Sequence, residues 1–155
     1  MTNFSKCPAK RTIGTYALIL HSEPENQQIG VGALGRLNFK EGYYCYGGSA
    51  LSGIEARLKR HIKIKGKKKH WHIDYLREKT RFISAIAWPT SIKKECSLSQ
   101  KISDMSEDYI PNFGCSDCHC SSHLFHFKNN PTGEILKQRL GGEPGKITDP
   151  RQKVS

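Results

Sequence analysis

The amino-acid sequence predicts an α+β fold: a small, mainly antiparallel central sheet of three strands or slightly more, flanked by helices, with a polar C-terminal tail. Three observations carry that reading. Apolar residues alternate with others in glycine-punctuated runs between Thr15 and Tyr46, the pattern of strands and turns. The period then lengthens, with Ile54, Leu58 and Ile62 recurring at four-residue steps, which is helical. Beyond residue 127, Gly, Pro and charge dominate, too polar to bury much surface. A chain of 155 residues fits one domain with one sizeable core, so the division is a patterned body, residues 12–127, and a tail, residues 128–155.

Thr15–Leu20 places Tyr16, Leu18 and Leu20 on one face and Ala17 and Ile19 on the other, a strand covered on both sides. Ile29–Leu37 and Tyr43–Tyr46 read as the next strands, set off by Gly30, Gly32, Gly35 and Gly42. A helix beginning near Gly53 follows, with Ser52 and Glu55 in capping-box spacing. Arg57 and His61, four apart, share its solvent-side stripe. RFISAIAW reads as another strand, and a second helix is expected over Ile92–Met105 after Pro89. On that helix Glu95 aligns with Leu98, Ile102 and Met105. A carboxylate on an apolar stripe is costly to bury unless paired or bound to a cation, although a first-turn acid also complements the helix dipole. In the tail, a short helix over Glu134–Leu140 is the one element expected.

The chain holds 25 Lys and Arg against 14 Asp and Glu, a formal charge of +11, which favours polyanionic partners. Apolar runs are too short to span a bilayer, and the first ten residues lack the apolar stretch of a secretory signal. A cytoplasmic site of action without membrane association is therefore expected. Its six cysteines, at 7, 45, 96, 115, 118 and 120, then point to metal or local packing rather than a disulfide framework.

Gly14-Thr15-Tyr16 on the first strand and Tyr46-Gly47-Gly48 ending a later one, then Arg57-x-x-x-His61 on a helix and a distant Glu95, resemble the GIY-YIG nuclease motif. GYYCYGGSAL, HWHIDYLRE, the dipeptide at 95–96 and FGCSDCHCSSHL resemble its Uri-type branch of small bacterial and archaeal proteins, over roughly residues 14–127. Ser49 departs from the lysine or threonine common after the second half of the motif. Asn112 is the nearby candidate for a late site asparagine.

The resemblance implies a metal-dependent endonuclease acting on DNA, with RNA as the alternative substrate. Glu95 would hold Mg²⁺ or Mn²⁺, hard ions that prefer carboxylate and water. Arg57 would clamp the scissile phosphate, and Tyr16 would accept a proton from the attacking water or orient it. Tyr46 and His61 would line the same pocket, and Gly48 would let backbone approach the phosphate.

From Lys59 to His70 the chain places seven Lys or Arg in twelve residues: Lys59, Arg60, Lys63, Lys65, Lys67, Lys68 and Lys69. This is a candidate phosphate-tracking surface, and Trp71 beside it a candidate for stacking on an unpaired base. His70, His72 and Asp74 form a candidate second ligand set or proton relay. Cys115, Cys118 and Cys120 with His119 and His123 resemble a compressed zinc knuckle, so Zn²⁺ is the lesser cofactor expectation. Ser116, Asp117 and His123 are the alternative candidates to buttress the active site. Two other functions fit the same residues: a non-catalytic nucleic-acid binding module, and a zinc-stabilised structural or adaptor protein.

Overall fold

The computed structural model describes residues 13–50, 53–64, 68–89, 94–115, 120–138 and 145–147. Two long strands, β1 (Gly14–Gly30) and β2 (Arg36–Ala50), form an antiparallel hairpin that pairs Gly14 with Ala50 and Gly30 with Arg36, with a bulge between Ser22 and Asn26. The expected strand over Ile29–Leu37 is instead the tip of this hairpin. Gly32 and Gly35 adopt φ of 47° and 78°, a 3₁₀ turn spans Gly32–Leu34, and the Val31 N–H donates to the Gly35 carbonyl.

Helix α1 (Ile54–Ile62) and helix α2 (His72–Arg77) follow, then β3 (Arg81–Pro89), which pairs with β1 as RFISAIAW predicts. Helix α3 (Glu95–Met105) leads to β4 (Asp108–Tyr109) and β5 (Leu124–Phe127), neither of which the sequence pattern announced. The described residues form one six-stranded sheet, β4-β5-β2-β1-β3 with β6 (Gly145–Ile147) at the far edge, every pairing antiparallel.

The fold continues past residue 127. Helix α4 (Thr132–Leu136) starts earlier than expected, buries Ile135 completely, and is followed by Gln138, whose carbonyl accepts from the Trp88 indole at 2.9 Å. The 128–155 segment is thus in part built onto β3.

The sheet separates two apolar clusters. Tyr16, Leu18, Leu20, Tyr44 and Tyr46 face α1 and α2, packing with Leu58, Ile62, Ile73 and Leu76. Ala17, Ile19, Cys45, Ile86 and Trp88 face α3 and α4, packing with Leu98, Ile102 and Ile135. The alternation along Thr15–Leu20 has this two-sided burial as its cause. Leu98 and Ile102, both fully buried, stabilise the docking of α3 by about 1.5–3 kcal/mol each before ordering costs.

No helix among the described residues is long and apolar enough to cross a membrane.

Candidate active site

Tyr16 lies near the start of β1, opposite Gly48 of β2 and Ala87 of β3. Its side chain is 1% exposed, and its hydroxyl lies 2.7 Å from His61 Nε2. Burial pushes the phenol up to about 12, opposed by the charge and hydrogen bonding of Arg57 and reinforced by the charges of Glu95 and Asp74. At neutral pH it is a neutral donor, so the bond reads as Tyr16 O–H donating to an unprotonated Nε2.

His61 faces this pocket because Leu58, Ile62 and Ile54 turn α1 onto the sheet, and its own burial corrects the expectation of a solvent-side stripe. Ser52 lies outside the described residues. Gly53 is the N-cap, with no side-chain cap bond, and Glu55 pairs instead with Lys59 at 3.6 Å. One turn before His61, half-buried Arg57 donates from Nη1 to the Ser49 carbonyl at 3.0 Å and lies 4.4 Å over the Trp71 ring. Tyr46, 7% exposed, has its ring 6.4 Å from that of Tyr16 and 6.2 Å from that of His61; burial holds its phenol well above the ordinary range.

Gly48 has a tighter reason to be glycine than the approach of a phosphate. A Cβ there would lie 2.5 Å from the Tyr16 hydroxyl, so the missing side chain is the space the phenol occupies. Gly114 does the same for Tyr46, 2.9 Å from where its Cβ would stand, and adopts a φ of 75°.

Glu95 opens α3, where the neighbouring Lys94 N–H donates to Thr15 Oγ1 at 3.1 Å and fixes the helix start beside Tyr16. Its side chain is half-buried and, among the described residues, has no hydrogen bond or ion pair. Its charge acts on Tyr16, Tyr46 and His123. Tyr16, Tyr46, Arg57, His61 and Glu95 are therefore brought together from β1, β2, α1 and α3.

Other expected residues do different work. Asp74, fully buried at its side chain, accepts from Arg60 Nη1 at 2.8 Å and Nη2 at 3.0 Å, and from the backbone N–H of His70 and Trp71. It caps α2 and holds Arg60, so neither a ligand set with His70 and His72 nor a phosphate contact through Arg60 is presented. His70 is exposed beside Trp71, whereas His72 sits on the first turn of α2 against Phe113 with Nδ1 accepting from the Gly114 N–H at 2.8 Å. Trp71 is half-buried under Arg57 and Arg60, which corrects its expectation as an open stacking platform. Asn112 has a left-handed φ of 63° in a turn, and its backbone N–H donates to the Ser121 carbonyl at 2.8 Å. Lys59, Lys63, Lys68 and Lys69 are exposed; Lys65 and Lys67 lie outside the described residues, as do Ser116, Asp117, Cys118 and His119.

A family model matches residues 15–140, most of the chain. This chain belongs to the DUF123 family, a domain of unknown function. No curated protein and no solved structure matches it. The DUF123 match runs from the second residue of β1 through every described element to α4, and so includes the α4 segment along with the five clustered residues.

The sequence pattern missed one juxtaposition within the DUF123 domain. Cys96, next to Glu95, meets Cys120 and His123, and Ser99 one turn later bonds the His123 ring through Nδ1. Its signal was present in the i, i+3 spacing of Cys96 and Ser99, which sets them on one face of α3. Of the expected single-loop knuckle, Cys120 and His123 meet Cys96 of α3 and the Cys115 thiol donates to the Phe113 carbonyl at 3.5 Å, while Cys118 and His119 lie outside the described residues.

Proposed function

We propose that this DUF123 chain is a structure-directed, metal-dependent endonuclease; its resemblance to the Uri-type branch of the GIY-YIG nucleases implies the metal-dependent cutting of DNA. The observation that supports this best is the meeting of Tyr16, His61 and Arg57 with Glu95, a carboxylate that has no hydrogen bond or ion pair among the described residues. A half-buried acid at the edge of an apolar helix face, with no cationic partner among the described residues, fits a hard divalent ion. Bound by Glu95, Mg²⁺ or Mn²⁺ would supply positive charge to the phosphoryl and leaving oxygens.

The chain's own residues account for the rest. Arg57 is pre-oriented, with one nitrogen on the Ser49 carbonyl and its plane over Trp71, which leaves other N–H groups to grip phosphate oxygens. Tyr16 is too basic as a phenolate to be standing ready as one. It accepts a proton from attacking water while passing its own proton to His61 Nε2, a relay that the 2.7 Å contact fits. Tyr46 and Gly48 set the position of the Tyr16 ring.

The test is cleavage of labelled single-stranded, duplex, flapped and abasic-site DNA, and of RNA, with Mg²⁺, Mn²⁺ or EDTA. Metal-dependent products are expected, reduced by roughly 10²–10³-fold in Glu95→Gln and Arg57→Lys. Undiminished cutting by Glu95→Gln would sink the mechanism. DNA bound in a salt-dependent way but uncut under every metal would replace it with a binding module.

A further inference from the structure

Cys96 at the start of α3, Cys120 before β5 and buried His123 present one donor atom each, all within 4.8 Å of one another. They come from two segments separated in sequence, brought together by the docking of α3 on β2 and β5. The two sulfurs stand 2.7 Å apart, closer than two thiols in ordinary van der Waals contact. Two processes relieve that crowding: deprotonation onto a shared soft cation, or oxidation to a disulfide. The histidine decides between them, because a disulfide has no use for a third donor aimed at the same point. The donor set of two thiolates and an imidazole matches the preference of Zn²⁺, and a thiolate pair disfavours Mg²⁺ and Ca²⁺. The Ser99 hydroxyl on His123 Nδ1 fixes the ring orientation, the outer contact that metal-bound histidines ordinarily carry.

We propose that Cys96, Cys120 and His123 form a zinc site, distinct from the Glu95 site, that ties the N-terminus of α3 to the segment leading into β5. Its place in the fold gives it a purpose. The Leu98 side chain lies against Gly47 and the His123 carbonyl accepts from the Gly47 N–H at 3.0 Å, so the clamp spans the same stretch of β2 that carries Tyr46 and Gly48. Cys96 is also the immediate neighbour of Glu95. The zinc holds that carboxylate in register with β2.

The site is tested on the full chain purified without added metal and under reducing conditions. Metal analysis is expected to give about one zinc per chain, and replacement by Co²⁺ to give the intense thiolate-to-metal absorption and visible bands of a tetrahedral site. Cys96 is exposed, so Cys96→Ser should fold while losing the zinc and the thiolate band. Stripping the wild type with a strong chelator should lower Tm by roughly 5–15 °C, restored by zinc and not by Mg²⁺. Metal-free protein that takes up neither Zn²⁺ nor Co²⁺ with its thiols reduced would overturn the site, as would a Cys96–Cys120 disulfide in protein prepared anaerobically. None of these readouts uses cleavage, so the zinc site and the endonuclease stand or fall separately.

Discussion

Tyr16 and Gly48 show how one residue's identity is set by its cross-strand neighbour. The motif made both legible in the sequence, but not the reason for the glycine, because pairing register is invisible before β1 and β2 are aligned. Gly48→Ala would place a methyl 2.5 Å from the phenolic oxygen, and overpacking of that kind costs about 1–3 kcal/mol. The expected outcome is a lowered denaturation midpoint together with lost cleavage. Tyr16→Phe, by contrast, keeps the ring and removes one buried hydrogen bond, worth about 1 kcal/mol, while reducing cleavage roughly 10²–10⁴-fold. An unchanged denaturation midpoint in Gly48→Ala would contradict the packing role assigned to Gly48. His72 gives a second residue-level outcome. Burial lowers its pKa below the ordinary 6.5, and its Nδ1 accepts the Gly114 N–H, which requires that nitrogen unprotonated. The unfolded chain therefore takes up the proton first as pH falls. Its stabilisation is complete above pH 6.5 and is lost as pH falls from there through the folded-state value. Tm measured from pH 7.5 to 5 should fall less steeply in His72→Gln than in the wild type; parallel curves would remove His72 from the acid limb.

At the scale of elements, α1 and α2 are one unit held by a buried ion pair. The side chain of Asp74 is 0% exposed while that of Arg60 keeps 27%, so Asp74→Ala both uncaps α2 and leaves Arg60 without its carboxylate. A loss of roughly 3 kcal/mol is expected by urea unfolding, the low end for breaking a buried pair because Arg60 retains access to water. A change below about 0.5 kcal/mol would mean the pair acts as a surface contact. The sequence offered Asp74 as a ligand or relay, and the structure uses it as the cap of α2 instead. The same competition explains Arg57 and His61: i, i+4 spacing put them on one stripe, but spacing alone does not say which stripe faces the sheet. Helix α3 was legible because three apolar residues, Leu98, Ile102 and Met105, repeat along one stripe of it. Strands β4 and β5 were not, being two and four residues long, below the length at which alternation is distinguishable from chance.

For the whole molecule, the sequence pattern predicted the α+β class but ended the patterned body before α4 and β6. Polar sequence after residue 127 hid Ile135 and the backbone pairing of Ala85, Ile86 and Ala87 with β6, because an edge strand needs few apolar residues of its own. The basic run from Lys59 to His70 was read from the sequence as a phosphate-tracking surface, and the structure divides that run by role. Arg60 is committed to Asp74, whereas Lys59, Lys63, Lys68 and Lys69 remain exposed, with surface pairs at Glu55 and Glu78 only for Lys59 and Lys69 among the described residues. Pairs of that kind are worth little and yield readily to a phosphate. Each duplex phosphate neutralised by a lysine releases condensed counterions and contributes about 0.9 to the slope of log K against log salt. Replacing the four exposed lysines with alanine should therefore reduce that slope by roughly 2–4 and weaken binding to all DNA sequences alike, as measured by fluorescence anisotropy across a salt series. The folded state should be little affected, since none of the four is buried. An unchanged slope would move the DNA-binding face away from the α1–α2 connection.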